Sequence, residues 1–183
     1  MTLGILGGSF NPPHPGHLGV ARAALAAGAV SRVLFVPCAV HAFGKPMENY
    51  IHRLEMCRRL VCGEPDMDVS DIEGRIDTGG RTLLMLRALR TEIPDGRWRL
   101  LLGADVCLET DRWYQFDEVK KMAPPLYVGR RGVPVNGPDM LAAPVEVSSS
   151  DIRRQLAQGQ IPADLLCEKV RDYIVINRLY GVE

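Results

Sequence analysis

An excess of either charge is missing from this chain: 22 Lys and Arg balance 22 Asp and Glu over 183 residues, for a formal net charge of +0. With no global field, the chain as a whole is not built to attract nucleic acid or an acidic membrane, and only local basic patches remain open. Long hydrophobic runs are missing too. No apolar stretch approaches the ~20 residues that span a bilayer, and no basic-then-apolar stretch opens the sequence. The expectation is a cytoplasmic protein with neither nucleic acid nor a membrane as partner. The five cysteines are an odd number with no C-x-x-C pair, which argues against a disulfide framework and against a zinc site. Cys57 and Cys62 share one helical pattern and are expected as small apolar core residues. Repeats, low-complexity tracts and linkers are also lacking. A single domain over residues 1–183 is therefore expected, able to bury roughly 70% of its unfolded surface.

The chain does contain short apolar strands alternating with helical patterns. Leu3–Leu6, Arg32–Val36, Arg99–Gly103 and Leu126–Gly129 read as buried strands, with a weaker one at Met67–Ile72. Helices are expected at His17–Ala29, Asn49–Leu60 and Thr82–Ile93, followed by a C-terminal helical segment from about residue 148, with helices at Ser149–Gln158 and Pro162–Leu179. Continuous apolar strands separated by helices predict an α/β fold: one Rossmann-like, doubly wound parallel sheet with helices on both faces. In such sheets ligands sit at the carboxyl ends of the strands, where strand order reverses. That rule gathers the Gly7–His17 turn, the loop after Val36, the Gly103-Ala104-Asp105 corner and Ser148-Ser149-Ser150 around one site.

The first of these loops carries the most chemistry. Gly7 and Gly8 leave room for phosphates to approach the backbone, and His14 and His17 flank a helix start whose N–H groups and dipole favour anions.

Gly7-Gly8-Ser9-Phe10-Asn11-Pro12-Pro13-His14-Pro15-Gly16-His17-Leu18 resembles the nucleotidyltransferase signature G-G-S-F-[DN]-P-x-H-x-G-H-L. Ser148-Ser149-Ser150-Asp151-Ile152-Arg153 resembles that superfamily's second signature, [IV]-S-S-T-x-[IV]-R. Leu102-Gly103-Ala104-Asp105 with Trp113, the His52-Arg53-Leu54-Glu55-Met56 helix, and Tyr173-Ile174 with Leu179-Tyr180-Gly181 complete a set similar to the bacterial nicotinate-nucleotide adenylyltransferase family, in that family's order.

The resemblance implies a reaction between ATP and a pyridine mononucleotide, with Mg²⁺ riding on ATP. Position by position, it implies that His14, His17 and Arg153 stabilise charge on the triphosphate. Gly7, Gly8, Ser9, Phe10, Gly103, Asp105, Ser148 and Ser149 would bind ATP; the Phe10 ring is expected in the core, and Ser148 or Ser149 as a helix cap. Thr82, Trp113, Tyr114 and Lys45 would bind the acceptor, although Trp113 also suits plain core and Thr82 a plain N-cap. Arg154 matches nothing in the signature and is expected in solvent.

Two stretches depart from the family pattern, both on the acceptor side. Where the family reads P-x-x-x-P-P-H-K, the chain has Pro37-Cys38-Ala39-Val40-His41-Ala42-Phe43-Gly44-Lys45, and where it reads S-Y-T-x-D-T-L, the chain has Gly80-Arg81-Thr82-Leu83-Leu84-Met85-Leu86. The alternatives are thus a nicotinamide-mononucleotide or other adenylyltransferase, such as one for phosphopantetheine, and a non-catalytic nucleotide-binding domain. Intact histidines, glycines and Arg153 speak against the last. Oligomeric state, a homo-oligomer included, is not legible in the sequence.

Overall fold

A computed structural model describes residues 1–103, 110–129, 140–141 and 147–182. Among these, six strands form one sheet: β1 (Thr2–Gly8), β2 (Arg32–Pro37), β3 (Met67–Val69), β4 (Arg97–Gly103), β5 (Pro125–Val128) and β6 (Met140–Leu141). The order is β3-β2-β1-β4-β5-β6 and every pairing is parallel, with Ile5 beside Leu34 on one side and Leu100 on the other. The chain winds outward from β1 through β2 to β3, then crosses back to place β4 on the free side of β1. That reversal puts the switch point at the carboxyl ends of β1 and β4.

Both faces of the sheet are covered, because neighbouring strand residues point to opposite sides. Leu6, Val33, Phe35, Leu101 and Leu126 pack with α1 (Pro15–Ala26), α2 (Tyr50–Val61), α6 (Ser149–Leu156) and α7 (Glu168–Ile176). Ile5, Leu34, Val36, Leu100 and Leu102 pack with α3 (Ile72–Arg75), α4 (Thr82–Glu92) and α5 (Phe116–Met122). The doubly wound sheet expected from the sequence is the fold observed.

Local differences have local causes. The first helix begins at Pro15 rather than His17, since proline at the first helical position forfeits an N–H that would have no intrahelical partner anyway. The expected strand Met67–Ile72 stops at Val69, where Ser70 Oγ accepts the Ile72 N–H at 3.2 Å and turns the chain into α3. The expected helix Pro162–Leu179 shrinks to Glu168–Ile176. An extended Cys167 breaks it at the start, and Arg178, left-handed at φ +50°, ends it. The helix α5 and the short β6 were not expected. Cys57 is buried as anticipated, but Cys62 is exposed at the end of α2, 3.1 Å from Lys169 Nζ, and belongs to no core.

Candidate active site

The first turn is built around a buried aromatic. Phe10 takes a left-handed φ of +46°, a conformation a bulky residue adopts at some energetic cost, and its ring is buried against Phe35 and His17 at centroid distances of 5.7 and 4.8 Å. The ring therefore belongs to the core while the backbone around it bends back over the sheet. Gly8 sits close to the core, since a Cβ there would stand 3.3 Å from the Phe10 ring, a tight contact to which the ring would have to yield. Gly7 differs: a Cβ would meet no protein atom within 4 Å and would project into open space beside the cavity described below.

The two histidines stack at the start of α1, with ring centroids 3.8 Å apart. His14 is buried at the N-cap, and His17 Nδ1 accepts its backbone N–H at 3.2 Å, which turns the His17 ring toward the first turn of the helix. The C-terminal segment docks directly on this turn. Arg153 donates to the Asn11 carbonyl at 2.6 Å and to Ser150 Oγ at 3.2 Å, while Ser149 Oγ donates to the Pro12 carbonyl at 2.9 Å. Residues more than a hundred positions apart thus form one cluster, as the topology rule anticipated. The expected serine cap is corrected: Ser148 stands at the N-cap of α6 without a capping bond, and the Ser149 hydroxyl is occupied by Pro12. Arg154 is exposed and pairs with Asp151, as a solvated residue should.

The Gly7–Ser9 backbone also lines a cavity of about 420 Å³. Its walls bring together all four proposed acceptor residues, Lys45, Thr82, Trp113 and Tyr114. Thr82 is the first residue of α4, with Arg81 at the N-cap, so the N-cap alternative for Thr82 does not hold. Trp113 packs edge-on against Phe116 at 5.5 Å beside one core cluster, as a core residue would, and also lines the cavity. Two arginines frame the opening through aromatic rings, Arg81 over Tyr114 at 4.9 Å and Arg112 over Phe43 at 4.2 Å. Gly103 ends β4 beside Val128, and Asp105 lies outside the described residues.

Several side chains that hold the site together escaped sequence reasoning. Asn11 is buried, and its Oδ1 accepts from the Glu48 N–H at 3.1 Å and from the Tyr180 hydroxyl at 2.9 Å. Burial pushes the Tyr180 phenol well above its ordinary range, with Glu48 adding to the effect, so it stays a neutral donor. Buried Arg53 and Glu73 brace the loop after β2. In the sequence Arg53 stands out only as part of the His52-Arg53-Leu54-Glu55-Met56 stretch, with no role assigned to it; a further signal is its position among the buried residues of α2, Leu54, Met56 and Cys57. Among the described residues, no group of three or more His, Cys, Asp or Glu side chains is placed to hold a metal ion.

Residues 5–155 match the cytidylyltransferase-like family. The chain is 40% identical to the "probable nicotinate-nucleotide adenylyltransferase" of Anaeromyxobacter sp. strain K, over 97% of this chain and 96% of that protein. It is 37% identical to the protein of the same description from Myxococcus xanthus, over 100% and 96% of the two chains. The fold resembles Plasmodium falciparum nicotinic acid mononucleotide adenylyltransferase complexed with NaAD, with a TM-score of 0.82 at 17% identity, covering 100% of this chain and 98% of the other. At that identity the structural likeness speaks for the fold alone. With the phosphate turn, its docked arginine and full-length relatives in agreement, the chain belongs to the cytidylyltransferase-like family and, within it, to the nicotinate-nucleotide adenylyltransferases.

Proposed function

We propose that the protein joins ATP and nicotinate mononucleotide into nicotinate adenine dinucleotide, releasing pyrophosphate, as a step of NAD biosynthesis in the cytoplasm. In this reading residues 1–183 act as one nucleotidyltransferase domain. The observation that carries it is that one turn, residues 7–17, holds the His14, His17 and Arg153 cluster and, through Gly7–Ser9, lines the cavity of about 420 Å³ walled by Thr82, Trp113, Tyr114 and Lys45.

The chemistry asks little of the protein beyond alignment. A phosphate oxygen of the mononucleotide, already an anion, forms a bond to the α-phosphorus of ATP. The bond from that phosphorus to the bridging oxygen breaks, and pyrophosphate leaves with the electron pair. No proton has to be removed from the nucleophile, so a nucleophilic or strongly basic side chain is unnecessary. Two negatively charged phosphates must instead be held in line, and the charge growing on the leaving oxygens must be neutralised. His14 and His17 offer imidazole donors at a helix start, and Arg153 offers a guanidinium whose orientation is set by its bond to Asn11. Mg²⁺, carried on ATP by phosphate oxygens and water, supplies further charge neutralisation when bound. On the acceptor side, Trp113 offers an aromatic face to the pyridine ring. The start of α4 at Thr82 offers backbone N–H groups to the nicotinate carboxylate, with Arg81 at the rim.

The decisive experiment measures pyrophosphate release from ATP and Mg²⁺ with each pyridine mononucleotide. A charge-assisted hydrogen bond left unmade in a closed site costs roughly 1.5–3 kcal/mol, so nicotinate mononucleotide should exceed the nicotinamide form by about ten- to more than a hundredfold in kcat/KM. A ratio near one, or a preference for the amide, would overturn the nicotinate assignment. Turnover that survives excess chelator would remove the metal.

A further inference from the structure

Arg53 is fully enclosed, at 0% exposure, and does not line the cavity itself. Each of its three nitrogens donates to a main-chain carbonyl: Nε to Glu48 at 2.8 Å, Nη1 to Ser9 at 2.7 Å and Nη2 to Ala39 at 3.4 Å. Ser9 belongs to the nucleotide turn. Ala39 belongs to the loop that carries Val40, His41 and Phe43 along the acceptor cavity.

Ala39 is gripped from its other end as well. Its N–H donates to Glu73 Oε2 at 3.1 Å, and the same oxygen accepts the Thr78 hydroxyl at 2.9 Å. Thr78 Oγ1 in turn accepts the Gly80 N–H at 3.1 Å, just before α4. The loop rests tightly on Gly80, where a Cβ would come within 2.6 Å of the Val40 carbonyl. A hydrogen-bonded chain thus runs from the nucleotide turn through Arg53, Ala39, Glu73 and Thr78 to Gly80 and Arg81, immediately before α4. Its two charged members compensate each other, since burial raises the Glu73 carboxyl while its bonds from Ala39 and Thr78 and the Arg53 charge draw it back.

We propose that Arg53 is a positioning residue that couples the two substrate sites, so that ATP on the nucleotide turn tightens binding of the pyridine mononucleotide, and the reverse. The proposal rests on the functional assignment above. The guanidinium is a rigid planar fork, and its buried donors have no water to turn to, so the Ser9 and Ala39 carbonyls cannot shift independently without leaving a charged donor unpaired. A ligand that orders one segment lowers the cost of ordering the other, and such coupling is reciprocal.

The test is the dissociation constant of nicotinate mononucleotide, by calorimetry, with and without a non-hydrolysable ATP analogue. Wild-type protein should bind the mononucleotide at least about fivefold tighter when the analogue is present, the lower end of a typical coupling. R53K, whose ammonium cannot serve three coplanar carbonyls, should bring that ratio close to one and raise the acceptor KM more than it lowers kcat. E73Q should keep the coupling, because a single amide oxygen can accept from both Ala39 and Thr78, whereas E73A should lose it. The E73A and E73Q pair decides the matter if R53K fails to fold. An R53K protein with a lower melting temperature and wild-type coupling would overturn the proposal, as would a wild-type ratio near one. Wild-type protein that turns over neither pyridine mononucleotide would overturn the functional assignment itself, and this coupling with it.

Discussion

The histidine cluster and the acceptor cavity are held in different ways. On the histidine side, the contacts are half-buried hydrogen bonds between side chains and main-chain atoms: Arg153 donates to the Asn11 carbonyl, Ser149 to the Pro12 carbonyl, and the His14 N–H to His17 Nδ1. On the acceptor side, the rim is made of exposed side chains, with Arg81 over Tyr114 and Arg112 over Phe43. Cation–π pairs at exposed sites contribute only ~0.5–1 kcal/mol each. The comparison teaches that the main chain is fixed by hydrogen bonds on both sides, while the outermost side chains of the cavity are held only by ring contacts. The departures from the family pattern, at residues 38–45 and at Arg81 and Leu84, fall on the cavity side, where Ala39 is nonetheless anchored by Arg53 and Glu73. There, a changed residue alters which groups meet the acceptor without disturbing the phosphate turn.

The comparison breaks most sharply at His17. His17→Ala should lower kcat by about 10²–10³ while leaving the KM for ATP much less affected, because the lost donor acts where charge appears. His52→Ala, which removes a 3.0 Å contact with Tyr173 on the far side of α2, should cost far less. Equal turnover of the two variants in a pyrophosphate-release assay would remove the N-terminal turn from the catalytic centre.

An intermediate effect is expected at Trp113, which belongs to both the core and the cavity. Trp113→Ala should raise the KM of both pyridine mononucleotides by about tenfold, since stacking of a base on an aromatic is worth roughly 1–3 kcal/mol and does not depend on the carboxylate. ATP affinity should stay nearly unchanged, and Trp113→Phe should recover much of the loss. A change confined to melting temperature would assign Trp113 to the core alone.

The smallest effect belongs to the rim. Arg112→Ala should raise the acceptor KM by only about two- to fivefold, the worth of one exposed cation–π pair. Its kcat should be unaffected, and the change should shrink with added salt. A loss as large as that of His17→Ala would show that the rim is no looser than the turn.

Much of the site was legible because its signals are local. A Gly-Gly turn, two histidines three apart at a helix start and a serine-arginine helix opening depend on residues adjacent in the chain. The alternation of apolar strands with helices likewise needs only nearest-neighbour periodicity, and so the doubly wound sheet could be expected. What escaped is non-local. Cys62 keeps the helical spacing of Cys57 yet lies in solvent, because it sits just past the end of α2 where no second element covers it. The helix expected from Pro162 starts only at Glu168, because the buried Leu166 is reached through an extended Cys167.

Residue types and their spacing along the chain were therefore enough to specify β1 to β5, the Gly7–His17 turn and the helix that carries Arg153. Local backbone preference and the two-sided burial of a parallel sheet act over a few residues at a time. The partners of Arg53, Asn11, Glu73 and Tyr180 were settled by the folded chain alone, since each lies in another segment, 169 positions away in the case of Asn11 and Tyr180. A charged or polar side chain has many carbonyls it could meet in an extended chain. Which ones it meets is settled only when burial has removed water and left those few within reach.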